Sequence, residues 1–251
     1  MPTDRPGGFG QVELARLNDY LPLFALAVKA TTARAIGQGL LAAYLGADPA
    51  ERVFAGTVQR GEVQSVEAVL FHADLRSFTA LADVTPAREL IHLLDDCFDC
   101  MARPVTRRGG EILKFMGDGL LAIFRTDQRR RAETCAAALA AASEALDLMV
   151  ELAAKRQAAG QPTPALNVAL HVGTVQYGNV GAEQRLDFTV IGPAVNEASR
   201  IQALCKDLGR ELLVSQAFAE AATGSRDHLT SLGRHSLRGV REPVELFTLA
   251  G

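Results

Sequence analysis

The chain has 251 residues, 48% of them hydrophobic, and a formal net charge of −3 with acidic and basic residues interspersed. That length suits one large domain or an ordinary domain behind an accessory segment, and the mixed charge excludes a footprint for nucleic acid or an anionic membrane. Four irregularly spaced cysteines exclude a disulfide framework and, with no signal-peptide pattern at the start, point to a cytoplasmic protein.

Residues 1–11 carry Pro2, Pro6, Gly7, Gly8 and Gly10 and read as a loose end. Residues 13–45 are rich in alanine and leucine with Pro22 as the one interruption, which predicts one or two helices closed by Asp48 and Pro49. The most apolar early stretch, residues 21–28, ends at Lys29, far short of the ~20 residues that cross a bilayer, so no membrane span is expected. Residues 1–64 are thus expected to form a helical and connecting segment ahead of a main domain at 65–251.

Residues 66–71 are almost continuously apolar and lead to Asp74, the pattern of a buried strand with a polar tip. Pro86 opens a helix with Leu90, Leu94, Phe98, Met101 and Val105 on one face, and Gly109-Gly110 ends it. Residues 111–124 hold two short apolar runs around Gly117-Asp118-Gly119, a tight hairpin. An alanine-rich helix follows at 130–159, then strands at 166–172 and 188–191, with residues 173–181 as a loop between them. A helix at 194–206, a strand at 211–214 and a terminal pair at 231–237 and 244–249 complete the series. Helices and strands alternate with hairpins included, which predicts an α/β (α+β) fold with helices flanking a mixed sheet.

Asp74 at a strand end and Asp118 in a glycine-flanked bend would share one spot if their strands are neighbours. Two such hard oxygen ligands suit magnesium, which takes its other ligands from water and substrate phosphates. Taken alone, each aspartate is more often a turn former or a cap than a metal ligand. Cys97 and Cys100 have the spacing of a redox or zinc pair but fall inside a predicted helix with no second pair. Residues 173–181 lack the lysine-serine or lysine-threonine ending of a phosphate-cradling loop.

Three longer stretches carry a resemblance. Phe71-His72-Ala73-Asp74-Leu75-Arg76-Ser77-Phe78-Thr79 resembles the first metal motif of the class III nucleotidyl cyclases, and Glu111-Ile112-Leu113-Lys114-Phe115-Met116-Gly117-Asp118-Gly119 their second. Thr189-Val190-Ile191-Gly192-Pro193-Ala194-Val195-Asn196-Glu197-Ala198-Ser199-Arg200 resembles the segment bearing their transition-state residues. The likeness runs from about residue 65 to the end, and residues 44–46 and 56–62 resemble the connector that precedes many bacterial cyclase domains. It implies a ferredoxin-like βαββαβ-based sheet and two divalent cations, Mg2+ or Mn2+, held by Asp74, Asp118 and the carbonyl of Leu75.

The same resemblance implies that Lys114 and Thr189 read adenine, Asn196 orients the ribose and Arg200 meets charge on the α-phosphate. Arg238 falls where the family often has a lysine for the terminal phosphates, and Arg185 is a further phosphate candidate. Lysine only donates and threonine can accept, which suits ATP, whereas GTP users typically carry glutamate and cysteine there. The family's sites are shared, with Asp74 and Asp118 from one chain of a homodimer and the remaining groups from the other. Strand alternation would put Ile112, Lys114 and Met116 on one face and Leu113 and Phe115 on the other. Ser77 replaces the usual glycine, and Pro193-Ala194 stands where many relatives have aspartate and threonine. The expectation is an adenylate cyclase; a catalytically silent nucleotide-binding module and a guanylate cyclase are the alternatives.

Overall fold

The computed structural model describes residues 8–56, 59–182, 184–240 and 242–250, and the chain divides into two units at residues 57 and 58. The first unit holds α1 (Gln11–Leu45) and α2 (Ala47–Phe54). α1 is a single helix despite Pro22, and Asp48 and Pro49 lie in the first turn of α2 instead of ending the helical region. The break between them falls at Gly46, whose φ of 91° is one that L side chains rarely adopt. The Phe54 ring lies against Gly37 and beneath the Arg34 guanidinium. No helix among the described residues is long and apolar enough to cross a membrane.

The second unit is an eight-stranded mixed sheet with helices on both faces. In chain order it contains β1 (Val63–Leu75), α3 (Phe78–Val84), α4 (Ala87–Arg107), β2 (Glu111–Met116), β3 (Gly119–Thr126), α5 (Arg131–Ala158) and β4 (Leu166–Ala182). These are followed by β5 (Arg185–Ile191), α6 (Pro193–Leu208), β6 (Leu212–Ser215), α7 (Gln216–Ala221), β7 (Leu229–His235) and β8 (Val244–Leu249). The strand order is β2-β3-β1-β4-β6-β8-β7, with β5 paired to β4. β1 is central and antiparallel to both β3 and β4, while β4 and β6 run parallel.

One face of the sheet buries Val69, Phe71, Ala73, Leu120, Ala122 and Phe124 against α4, α5 and α7. Each large side chain buried there contributes about 1.5–3 kcal/mol, so this layer fixes the ends of β1 and β3 relative to each other. α4 buries Leu93, Cys97, Met101 and Val105 at steps of four, with Leu94 and Phe98 packed partly beside them. On the opposite face, Leu70, Leu121 and Ile123 pack with Val175, Tyr177, Phe188, Val190, Ala194 and Ala198.

Three expectations are corrected. Residues 173–181 form no loop: β4 continues unbroken to Ala182, and its second half pairs with β5. The glycines that suggested a break admit close neighbours, since a Cβ on Gly173 would lie 2.6 Å from Ala194 Cβ and one on Gly178 2.1 Å from Glu62 O. β2 does not alternate simply, because Ile112 faces Ala122 and Lys114 faces Leu121, leaving Leu113 as an extra, bulged residue. Ile112 therefore packs toward α4 and α5, Leu113 and Lys114 share the opposite face, and Phe115 returns to stack on Phe98. The short helices α3 and α7 were not expected, and α7 is capped by Ser215 Oγ accepting the Phe218 N–H.

Candidate active site

β1 delivers Asp74 directly opposite Gly119, the first residue of β3, so Asp74 and Asp118 meet at one end of the sheet. The hairpin turn is Gly117-Asp118, with Gly117 at φ 64°. Gly119 is tightly enclosed: a Cβ there would lie 2.8 Å from both Ala73 O and Asp74 Oδ1, so one of them would have to shift. Burial, then the nearby Asp118 charge, raises the Asp74 carboxyl to about 6, partly opposed by the Leu75 N–H. Burial also raises Asp118. Two partly buried carboxylates that repel one another, beside the Leu75 backbone, form a donor set that a divalent cation would neutralise, so the residues present fit such ions. Across β1 on β4, Asn167 faces Asp74 in register, buried, and its Oδ1 has no partner among the described residues.

A second group gathers at β5. Lys114 Nζ donates to Asp187 Oδ2 at 3.1 Å, and Asp187 and Thr189 alternate onto the same face of that strand. Thr189 is 4% exposed, and its Oγ1 has no hydrogen-bond partner among the described residues. Such an orphaned hydroxyl costs about 1–3 kcal/mol unless something supplies a partner. Asp187 was not singled out from the sequence; its signal there was its position two residues before Thr189 in a strand.

The third group lies on α6 and the β7–β8 connection. Asn196 and Arg200, four residues apart, share one face of α6. The Arg200 guanidinium rests against Gly239, about 3.4 Å from where a Cβ would stand, which brings it beside the exposed Arg238 in the same turn. Arg185 is exposed at the start of β5, remote in the strand register from Asp74.

Asp74 lies near the C-terminal end of β1, whereas Thr189 pairs with Gly178, which pairs with Val63 at its beginning. Among the described residues no hydrogen bond or ion pair joins the carboxylates to the Lys114–Thr189 group or to Arg200. A concavity of about 310 Å³ between α5 and β4, and one of about 620 Å³ lined by Arg108, Glu111 and Arg125, contain none of the candidate residues. Within one chain Thr189 thus lies at the far end of the strand register from Asp74, Lys114 reaches toward the strand that carries Thr189, and Asn196 and Arg200 belong to a third group on α6.

Residues 59–251 match the family described as the adenylate and guanylate cyclase catalytic domain. The chain is similar to an adenylate cyclase of Anabaena cylindrica, with 32% identity over 161 residues, 64% of this chain and 32% of that protein. An uncharacterized protein of Mycobacterium tuberculosis shares 37% identity over 181 residues, 71% of this chain and 30% of that one. The chain therefore spans about a third of the length of the curated relatives it matches. Among solved structures, the adenylyl cyclase CyaB from P. aeruginosa matches with a TM-score of 0.66 at 26% identity, over 76% of this chain and 96% of that chain. A hairpin aspartate set against a strand-end aspartate, on a sheet of this topology and within a family match of that extent, leads to one assignment: the chain belongs to the adenylate and guanylate cyclase catalytic domain family.

Proposed function

We propose that residues 65–251 form a catalytic domain that converts ATP to 3′,5′-cyclic AMP and pyrophosphate, with residues 1–64 as a preceding helical segment. The observation that carries this reading is the Asp74–Asp118 pair, brought together where the end of β1 meets the β2–β3 turn, with the Asp74 carboxyl raised by burial and then by the Asp118 charge. Asp74, Asp118 and the Leu75 carbonyl would hold two divalent ions, Mg2+ or Mn2+, which when bound acidify the ribose 3′-hydroxyl and neutralise phosphate charge.

In the reaction, the 3′-oxygen forms a bond to the α-phosphorus as the bond to pyrophosphate breaks, and the hydroxyl proton leaves to solvent. Arg200 supplies a rigid, permanently charged set of donors for charge that develops on the α-phosphate. Asn196, one turn earlier on the same helix face, orients the ribose. Lys114 donates to an acceptor nitrogen of adenine, and the orphaned Thr189 hydroxyl accepts from its exocyclic amine. Arg238 engages the terminal phosphates, with Arg185 as a further candidate.

The separation of Thr189 from Asp74 in the strand register supports a site shared across a homodimer, in which one subunit gives the carboxylates and the other gives the base-, ribose- and phosphate-binding residues. Incubating the protein with ATP or GTP and Mg2+ or Mn2+, and identifying the cyclic product by mass, tests the reading. Cyclic AMP as the dominant product is expected. Predominant cyclic GMP, or no cyclic product from folded dimeric protein, overturns it.

A further inference from the structure

Beneath α6, β4 carries a buried polar chain that none of the assignments above uses. His171 is 6% exposed, and its Nδ1 lies 2.9 Å from the hydroxyl of the fully buried Ser215. Ser215 Oγ accepts the Phe218 N–H at 3.1 Å, so its own hydrogen is available to Nδ1. That leaves the ring proton on Nε2, which lies 3.5 Å from Glu197 Oε2 on α6. Burial lowers the His171 pKa to about 4, so the contact joins a neutral imidazole to a carboxylate and is no ion pair at neutral pH.

Gly173 completes this seat. A Cβ there would meet Ala194 Cβ at 2.6 Å and His171 Nε2 at 3.3 Å, so the first turn of α6 lies directly on β4 and the imidazole edge. Glu197 gives α6 a polar anchor on the sheet in that region, next to apolar Ala194 and Ala198. Asn196 is its neighbour in sequence, and Arg200 lies three residues on, about 60° around the helix at 3.6 residues per turn. Turning the helix about 10° moves a side-chain tip ~6 Å from the axis by ~1 Å. A misplacement of about that size can cost on the order of 10²-fold in rate.

We propose that His171 is a positioning residue: backed by Ser215 and touching Glu197, it sets the rotation of α6 and through it the placement of Asn196 and Arg200. The inference rests on the roles proposed above for those two residues. The His171→Phe variant keeps the ring volume and removes the polar contact; Glu197→Leu removes the same contact from the partly exposed helix side, should the buried change fail to fold. In the dimeric protein with ATP and Mn2+, either variant should lower kcat about 10- to 100-fold while KM changes less than about threefold. His171→Gln, which retains a side-chain donor, should recover most of that loss.

In a background carrying both Asn196→Ala and Arg200→Ala, His171→Phe should add less than about threefold to the residual rate, because the groups it places are already gone. Amide exchange over residues 193–200 should accelerate in His171→Phe and Glu197→Leu but not in His171→Gln, a readout that needs no turnover. Wild-type kcat with unchanged exchange in folded His171→Phe or Glu197→Leu overturns the proposal, as does a full, multiplicative loss in the background that lacks both Asn196 and Arg200 side chains. If the wild-type protein makes no cyclic nucleotide, the functional reading fails, and exchange over 193–200 alone decides whether His171 seats the helix.

Discussion

One methyl group added at Gly119 should damage metal binding more than folding. The new Cβ would stand 2.8 Å from Asp74 Oδ1 and from Ala73 O, where an ordinary contact begins near 3.4 Å, so about 0.6 Å must be found. Ala73 O cannot yield easily, because it belongs to a strand paired on both sides. The Asp74 side chain, only partly buried, moves more readily. Gly119 is not among the residues with positive φ, so alanine brings crowding without conformational strain. Overpacking of this kind costs about 1–3 kcal/mol, a fall in Tm of roughly 2–12 °C for a domain of this size. Ligand distances tolerate about ±0.2 Å, and disturbing a ligand's support costs about 10–100-fold in metal affinity. Thermal melts of Gly119→Ala across a Mn2+ titration, with free Mn2+ followed by electron paramagnetic resonance, give both quantities. Unchanged Tm and unchanged Mn2+ affinity would refute the close approach of Gly119 and Asp74 as the reason for the glycine.

The remaining predictions concern protons, charge and base choice. Because the Asp74 carboxyl is raised to about 6, the folded metal-free chain holds a proton that the unfolded chain has lost, so stability should fall as pH rises from about 4 to 6. Mn2+ competes with that proton, and its apparent affinity should drop about tenfold per unit below pH ~6; a wild-type slope that Asp74→Asn leaves intact would remove Asp74 from this titration. Arg200→Ala should lower kcat by about 10²–10³ with little change in KM, and a loss mainly in KM would make Arg200 a ground-state binder. Mixing it with Asp74→Ala should restore about a quarter of wild-type activity, since about half the dimers are mixed and each mixed dimer has one intact site. No recovery despite demonstrated subunit exchange would sink the shared site. Lys114→Glu with Thr189→Cys should raise the GTP-to-ATP ratio of product, and an unchanged ratio in folded protein would exclude both side chains from the base pocket.

The carboxylate pair was legible because its signals are local: an apolar run ending at Asp74, and Gly117 and Gly119 framing Asp118. The alanine-rich α5 and the apolar spacing of α4 were readable on the same grounds. The second half of β4 was not, because Gly173, Gly178 and Gly181 look like breaks until the neighbouring backbones that crowd them are known. Nothing in residue order announces that Lys114 meets Asp187, 73 residues away, or that His171 meets Ser215 and Glu197. Those contacts depend on strand order and on where α6 crosses the sheet, both of them long-range properties. The sidedness of β2 failed for a different reason, since alternation assumes a ladder without inserted residues.

That inserted residue makes base preference partly a matter of counting. With Ile112 directed toward α4 and α5, plain alternation would send Lys114 the same way, into the layer where Phe98 and Phe115 stack. Leu113 delays the alternation by one step and brings the ammonium out beside β5. Deleting Leu113 would leave Lys114 opposite Leu121 on its present face, whereas regular pairing of all six β2 residues would retain the lysine in the composition and turn it away from β5. Under the purine-reading role proposed for Lys114, a graft of specificity between relatives has to carry the backbone of the whole hairpin, Glu111–Thr126, along with the side chain.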